Sequence, residues 1–370
     1  MPSYRVTIRD AAFEVMDGAY LKASDNGRLP VKPRQIMYAA RPRILEMTDE
    51  RELSGSYFSQ TLLVDYMEEY DRPDWDVIWD ARGHFIEPHT NREIPLGTLE
   101  VREYLGERPS FGELAIGIAK SEISYPTKGA KNRFGNILFI EKEGFHPILR
   151  AAQLQERFDV SIMSTKGMSV TASRTLLDAL TPYVDHIFVL HDFDRSGFSI
   201  CGTLGTDSRR YKFKNDPPLV DIGLRLAHVD GLQSEPVPLV DPHEWRKRAN
   251  TLRRHGATRE EIEFLQTRRV ELNAMTSPQL VEFIECKLKE HGVTKLVPDD
   301  NVLEQQARRI IQQRLIAKAI NAVTAKCTKQ AKAALLPDDL RQQVVALLER
   351  RPQLPWDRAV AGIIGKENAP

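Results

Sequence analysis

Two stretches decide how this chain folds: Asn136-Ile-Leu-Phe-Ile140, which runs directly into Glu141-Lys142, and His186-Ile-Phe-Val-Leu190, which runs into His191-Asp-Phe-Asp-Arg-Ser-Gly197. Between them lie a helical stretch from His146 to Phe158, a second apolar run Val160-Ser-Ile-Met163 and a helix from about Val170 to Leu180. Apolar runs too short for helices, alternating with helical periodicity, predict a βαβαβ unit. Strands without polar alternation are covered on both faces, as in a parallel sheet, and such sheets bind ligands beyond the carboxyl ends of their strands. Glu141, Asp192 and Asp194 fall at those ends.

Asp192 and Asp194 are two residues apart, so in an extended segment their side chains share a face and suit one hard cation. Glu141 faces them if the first and third strands pair. Oxygen-only ligation of this kind fits Mg²⁺, which commonly assists phosphoryl chemistry. A single such acid more often caps a helix or stays solvated; three at matched strand ends favour the cation. Gly197, and Gly167 in Ser164-Thr-Lys-Gly167, let backbone approach a phosphate.

Outward from the sheet, apolar residues at helical spacing predict a helix from about Arg9 to Ala23, and Asp25-Asn26-Gly27 a turn. A second piece, Arg34 to Ala40, is expected to stop before Arg41-Pro42, because a residue preceding proline resists the α conformation. These two form a helix-turn-helix unit, and the mixed region from Leu53 to about Ser124, with a helical Gln60 to Tyr70 run and a strand-like Asp76-Val-Ile-Trp79, suits a winged helix. Beyond Pro242 the pattern is helical, near Glu244 to Arg254, Arg259 to Arg269, Ser277 to His291, Asn301 to Leu336 and Asp338 to Arg350. The 370 residues are expected to divide into 1–130, 131–290 and 291–370.

Composition narrows the function classes. With 41% hydrophobic and 28% charged residues the chain is an ordinary globular protein. No apolar stretch is long enough to span a membrane and Met-Pro-Ser-Tyr-Arg starts no signal core, so a cytoplasmic, nucleoid-associated location is expected. Cys201, Cys286 and Cys327 have no ligand-like spacing and are expected to be buried thiols. Charge balances, with 52 basic and 52 acidic residues, but cations concentrate locally. Arg209-Arg-Tyr-Lys-Phe-Lys214, Arg246-Lys-Arg248 and the acid-free Gln305 to Pro337 stretch are candidate DNA-backbone contacts or solvated faces.

A Glu after one strand and Asp-x-Asp after a later one resembles the Toprim domain of topoisomerases and primases. Ile140-Glu-Lys142, Thr165-Lys-Gly167 through Arg174, and Asp192-Phe-Asp-Arg-Ser-Gly197 resemble more narrowly the topoisomerase VI A subunit and its meiotic double-strand-break relative. That family carries a nucleophilic tyrosine in a winged helix, after an arginine; Arg34-Gln-Ile-Met-Tyr38 fits the spacing. The resemblance, strongest over 136–200, implies a winged-helix domain, a Toprim domain and, here, a helical C-terminal extension. It implies Tyr38 and Arg34 as catalytic residues, Mg²⁺ at Glu141, Asp192 and Asp194, and a weaker part for Glu271. Lys142, Lys166 and Arg174, with Arg209, Arg210 and Lys212, would contact DNA.

The implied activity is that of a type IIB topoisomerase A-like enzyme: a homodimer that cleaves duplex DNA by Mg²⁺-assisted tyrosine transesterification, leaving a 5′-phosphotyrosyl bond. No nucleotide-binding fingerprint is present, so ATP use would lie in a separate B-type subunit. The metal loop departs from the family at Phe193 and Arg195. Two other readings stand beside it: a Toprim metal-dependent nuclease, for example in defence, and a DNA-binding scaffold without catalysis.

Overall fold

The computed structural model describes residues 6–48, 50–72, 74–79, 84–86, 93–95, 97–106, 133–164, 171–207 and 211–367. They divide into two compact units, one of residues 1–82, 96–103 and 127–298, the other of 83–95, 104–126 and 299–370. The protein is mixed α/β and mostly helical, with one four-stranded parallel sheet. No helix among the described residues is long and apolar enough to cross a membrane.

The sheet lies in the first unit. Strands β1 (Asn136–Ile140), β2 (Val160–Ser164), β3 (His186–Leu190) and β4 (Leu219–Asp221) are ordered β2-β1-β3-β4, all parallel. Its apolar runs are continuous because both faces are covered. Leu138, Ile140, Phe188 and Leu190 pack into one cluster, whereas Ile137, Phe139, Ile187 and Val189 pack into another, as a two-residue side-chain period requires. The expected His146 to Phe158 helix is broken in two, at Gln153, which takes a left-handed φ of 52°.

Helices α1 (Ile8–Ala23) and α2 (Pro33–Thr48) pack on one another, joined by a turn in which Asp25, Asn26 and Gly27 all have positive φ. Helix α2 does not stop at Ala40 but continues through Pro42. Proline there deprives the Tyr38 carbonyl of its helical donor, and Gln233 supplies one, its side-chain amide donating to that oxygen. Arg41 binds the same segment, donating to Gln233 Oε1 at 2.8 Å and pairing with Glu235. The helical run expected from Gln60 begins at Gly55 and includes a π-helical turn, Phe58–Leu62, before α3 (Leu63–Glu69). The strand expected over 76–79 is reduced to a single parallel bridge, Val31 to Val77.

The first unit also holds helices α4 (His146–Ala151), α5 (Leu154–Phe158), α6 (Thr171–Leu180), α7 (Arg195–Leu204), α8 (Pro242–Arg254), α9 (Arg259–Leu265) and α10 (Ser277–Glu290), and most of a helix at Thr98–Gly106. The helix expected over Arg259 to Arg269 ends at Leu265, because Arg268–Arg269 pairs as a short strand with Glu235–Pro236. The second unit holds a hairpin of His84–Ile86 with Glu93–Pro95 and helices α11 (Asp300–Ala333), α12 (Leu340–Arg350) and α13 (Trp356–Glu367), the last unforeseen in the sequence. Cys286 and Cys327 are exposed and Cys201 half-buried, contrary to expectation. On α10 the buried apolar positions are Leu280, Val281, Ile284 and Leu288, which leaves Cys286 on the outer face.

Candidate metal and phosphate site

Ile140 and Leu190 are register partners on adjacent strands, so Glu141 and the His191–Asp194 segment leave the sheet side by side. Asp194 is the N-cap of α7, its Oδ1 accepting from the Gly197 amide at 2.7 Å. Asp192 is only 4% exposed; its Oδ1 accepts from the Leu272 amide at 2.8 Å and its Oδ2 is ion-paired with Lys142. A backbone bridge between Phe193 and Val270, with N–H to O distances of 2.9 and 3.0 Å, brings in Glu271. Glu271 lies 3.9 Å from Lys142 Nζ, 2.7 Å from Arg34 Nε and 3.3 Å from an Arg269 guanidinium nitrogen. Alternating charge thus runs Asp192, Lys142, Glu271, Arg34 from the sheet end to α2.

Burial, then the charges of Asp192 and Asp194, push the Glu141 carboxyl above its ordinary range, and burial, then Asp192, do the same to Asp194. Glu141 Oε2 is buried with no hydrogen-bond partner. A buried carboxylate oxygen without a donor, its pKa raised by two neighbouring carboxylates, fits a cation. The donor set is all oxygen, which suits Mg²⁺. Among the described residues, only His191, Cys201 and Asp221 bring three candidate ligand atoms within 4.8 Å. The three strand-end carboxylates are not closed to that spacing, and Lys142 sits on Asp192.

The His191 group is itself no metal centre. Nδ1 lies 2.7 Å from the Asp192 carbonyl oxygen and Nε2 3.0 Å from Asp221 Oδ1, so both nitrogens serve as donors and neither keeps a lone pair. Burial opposes the charged ring, yet the hydrogen bonds with Asp221 and Cys201 outweigh it and push the pKa up to about 10. Gly197 and Gly223 flank the ring so closely that a Cβ on either would lie 2.4 or 2.3 Å from its nitrogens. His191 and Asp221 were not singled out by sequence reasoning. Asp221 ends a three-residue strand, too short for periodicity to show.

Tyr38 lies on α2, 2% exposed, with its ring 5.9 Å from the Arg34 guanidinium and 5.0 Å from that of Arg41. Arg34 adjoins the hydroxyl without a well-formed hydrogen bond, so the buried Oη is unsatisfied. Burial, then the Glu271 charge, raise the Tyr38 pKa well above that of a free phenol. Arg174 is buried and donates to the carbonyls of Thr203 and Thr206, at 3.0 Å for Thr203. Lys212 is exposed and paired with Asp207 at 3.2 Å. Lys166, Arg209 and Arg210 lie outside the described residues, as does Gly167.

The loop that carries Lys212 is fastened by Asp178, which accepts from Tyr211 Oη at 2.8 Å, Lys214 N at 3.0 Å and Asn215 N at 2.9 Å. These bonds, the Lys214 amide foremost, hold the Asp178 pKa down to about 2. A depressed carboxyl stabilises the fold above its unfolded pKa and loses that contribution as pH falls through the folded value. The expected result is that protection of the Lys214 and Asn215 amides from hydrogen exchange fades between about pH 4 and pH 2, and is already lost at neutral pH in Asp178→Ala. Unchanged protection in that variant would show that the loop is held otherwise.

Two open clefts flank the carboxylates. One, of about 820 Å³, is lined by Lys32, Arg34, Lys142, Ser56 and Glu271. The other, of about 710 Å³, is lined by Glu141, Arg195, Lys247, Arg248 and Glu244. In each, three cations face a carboxylate minority, which suits a polyanion. Compared with protein-family models the chain matches none, and compared with curated proteins it matches none.

Proposed function

We propose that the chain is a Toprim-type phosphoryl transferase that cleaves duplex DNA, organised like a topoisomerase VI A subunit, with α1 and α2 in the winged-helix part and Tyr38 as nucleophile. The observation that carries the reading is the orphaned Glu141 oxygen beside Asp192 and Asp194 at adjacent strand ends, with a cationic cleft running from Lys142 to Arg34. Mg²⁺ at Glu141, Asp192 and Asp194 would neutralise phosphate charge and favour departure of the 3′ oxygen. Arg34 and Lys142 hold the phosphate in the cleft, Arg34 exchanging part of its pairing with Glu271 for the ligand and Lys142 its pairing with Asp192. Tyr38 Oη forms the bond to phosphorus as the bond to the 3′ oxygen breaks, and the phenolic proton ends on that oxygen as a 3′-hydroxyl. The phosphotyrosyl bond keeps the energy of the broken strand for religation. The working form is a homodimer, with ATP hydrolysis in a separate subunit.

One observation favours a second reading. Tyr38 is buried and its proton is held more tightly than a free phenol's, so a nuclease in which water attacks needs no movement of α2. A plasmid assay separates the two. With supercoiled DNA, Mg²⁺ and a detergent quench, the wild type is expected to give protein-linked DNA that enters the gel only after protease, and Tyr38→Phe none. Loss of a buried, unsatisfied hydroxyl is close to neutral for stability, so that variant should fold. Free DNA ends that persist in Tyr38→Phe would establish the nuclease.

A further inference from the structure

Glu141 and Lys142 are successive residues leaving β1, yet they line different clefts, Lys142 the one that reaches α2 and Glu141 the one formed by α7 and α8. A linear polymer with its scissile phosphate at the carboxylates enters by one cleft and leaves by the other. The α2 side carries Arg34, one helical turn before the proposed nucleophile Tyr38. The far side is lined by Arg195, Lys247 and Arg248, with Ser196 and the apolar Ile200 and Leu252, while the Ser199 and Thr251 hydroxyls in the same lining donate to the Arg195 and Lys247 carbonyls. Arg248 is paired with Glu244. Among the described residues neither Arg195 nor Lys247 has a carboxylate partner, although Glu141 and Glu244 line the same cleft. Two cations without a carboxylate partner thus line a cleft of about 710 Å³.

We infer that this cleft binds the polynucleotide strand on the side of the scissile phosphate away from Tyr38, with Arg195 and Lys247 each neutralising one backbone phosphate. The inference rests on the proposed cleavage of DNA and specifies where the leaving 3′ end is held while the other end is on the tyrosine. Retention of that end is a condition of religation, because a strand that diffuses away cannot return its hydroxyl.

The test is equilibrium binding of a fluorescent duplex by the full chain without Mg²⁺, over a range of salt, for the wild type, Lys247→Gln and the double variant Arg195→Gln, Lys247→Gln. Each phosphate contact contributes about 0.9 to the slope of log affinity against log salt. The expected result is a slope shallower by about 2 in the double variant and by about 1 in the single one, with at least a tenfold loss of affinity at low salt in the double variant. A photo-crosslinker at position 247 should label nucleotides on the 3′-hydroxyl side of the cleavage point. Unchanged slope and affinity, or crosslinks on the phosphotyrosyl side, would overturn the inference. Cleavage by the wild type with no binding change in the variants defeats this cleft alone. Binding changes as expected without any cleavage by the wild type defeat the cleavage reading and leave a polynucleotide site.

Discussion

Glu141→Gln is expected to raise the melting temperature of the metal-free protein and, under the proposed function, to abolish both stabilisation by Mg²⁺ and cleavage of DNA. The carboxyl is half-buried, leaves one oxygen without a donor and has its pKa raised by burial, Asp192 and Asp194. A raised carboxyl pKa contributes stability below the unfolded pKa that is lost as pH rises through the folded value. Ionising the wild-type carboxyl therefore costs stability, and the neutral amide avoids that cost. Each kcal/mol recovered is worth about 2–4 °C in a unit of this size. The advantage shrinks as pH falls toward the ordinary carboxylate range. Mg²⁺ bound to the folded state should raise the melting temperature of the wild type and not that of the variant, and loss of a ligand should cost about 100-fold or more in cleavage rate. A variant that melts lower than wild type, or still responds to Mg²⁺, would remove Glu141 from the site.

Gly197→Ala and Gly223→Ala are expected to be the most damaging single-methyl changes in the first unit. At Gly197 the added Cβ would lie 2.4 Å from both the Asp192 carbonyl oxygen and His191 Nδ1, and at Gly223 its three nearest atoms, at 2.3 to 2.5 Å, all belong to the His191 ring. The ring cannot move away from one glycine without striking the other. Each change should cost about 3 kcal/mol or more, the upper end for overpacking, which is roughly 6–12 °C in melting temperature. The obstacles differ, however. His191→Ala should rescue Gly223→Ala, whose three nearest atoms it removes, but not Gly197→Ala, which still meets a backbone oxygen. Equal rescue of both would mean that the ring, and not the loop backbone, sets the spacing at the strand end.

The parallel sheet was legible because its strands are buried on both faces, which turns a structural fact into an uninterrupted apolar run. The strand-end positions of Glu141, Asp192 and Asp194 followed from that alone. Strand β4 was not legible: Leu219–Asp221 is three residues long and gains its identity only by pairing with β3. The end of α2 was misjudged because the rule against a pre-proline residue in a helix is local, whereas Gln233, far along the chain, satisfies the carbonyl that Pro42 abandons. The same distance hid the pairing of Arg34 with Glu271. Spacing suggested that Arg34 serves Tyr38, but it could not show a carboxylate arriving from another element to hold the guanidinium.

Those long-distance ties also have a consequence for synthesis. The Tyr38 carbonyl is bound by Gln233, the neighbouring Gln35 donates to the Met275 carbonyl, and the Pro30 carbonyl accepts from Ser277. The partners lie 195 to 247 residues downstream, so at about 5–20 residues per second roughly 10–50 s pass between emergence of α2 and arrival of the residues that seat it. The strand-end acids leave the ribosome within that interval. A nascent chain therefore holds the phenol and the carboxylates for some time before they belong to one structure, and the proposed site is assembled only once residue 277 has been made.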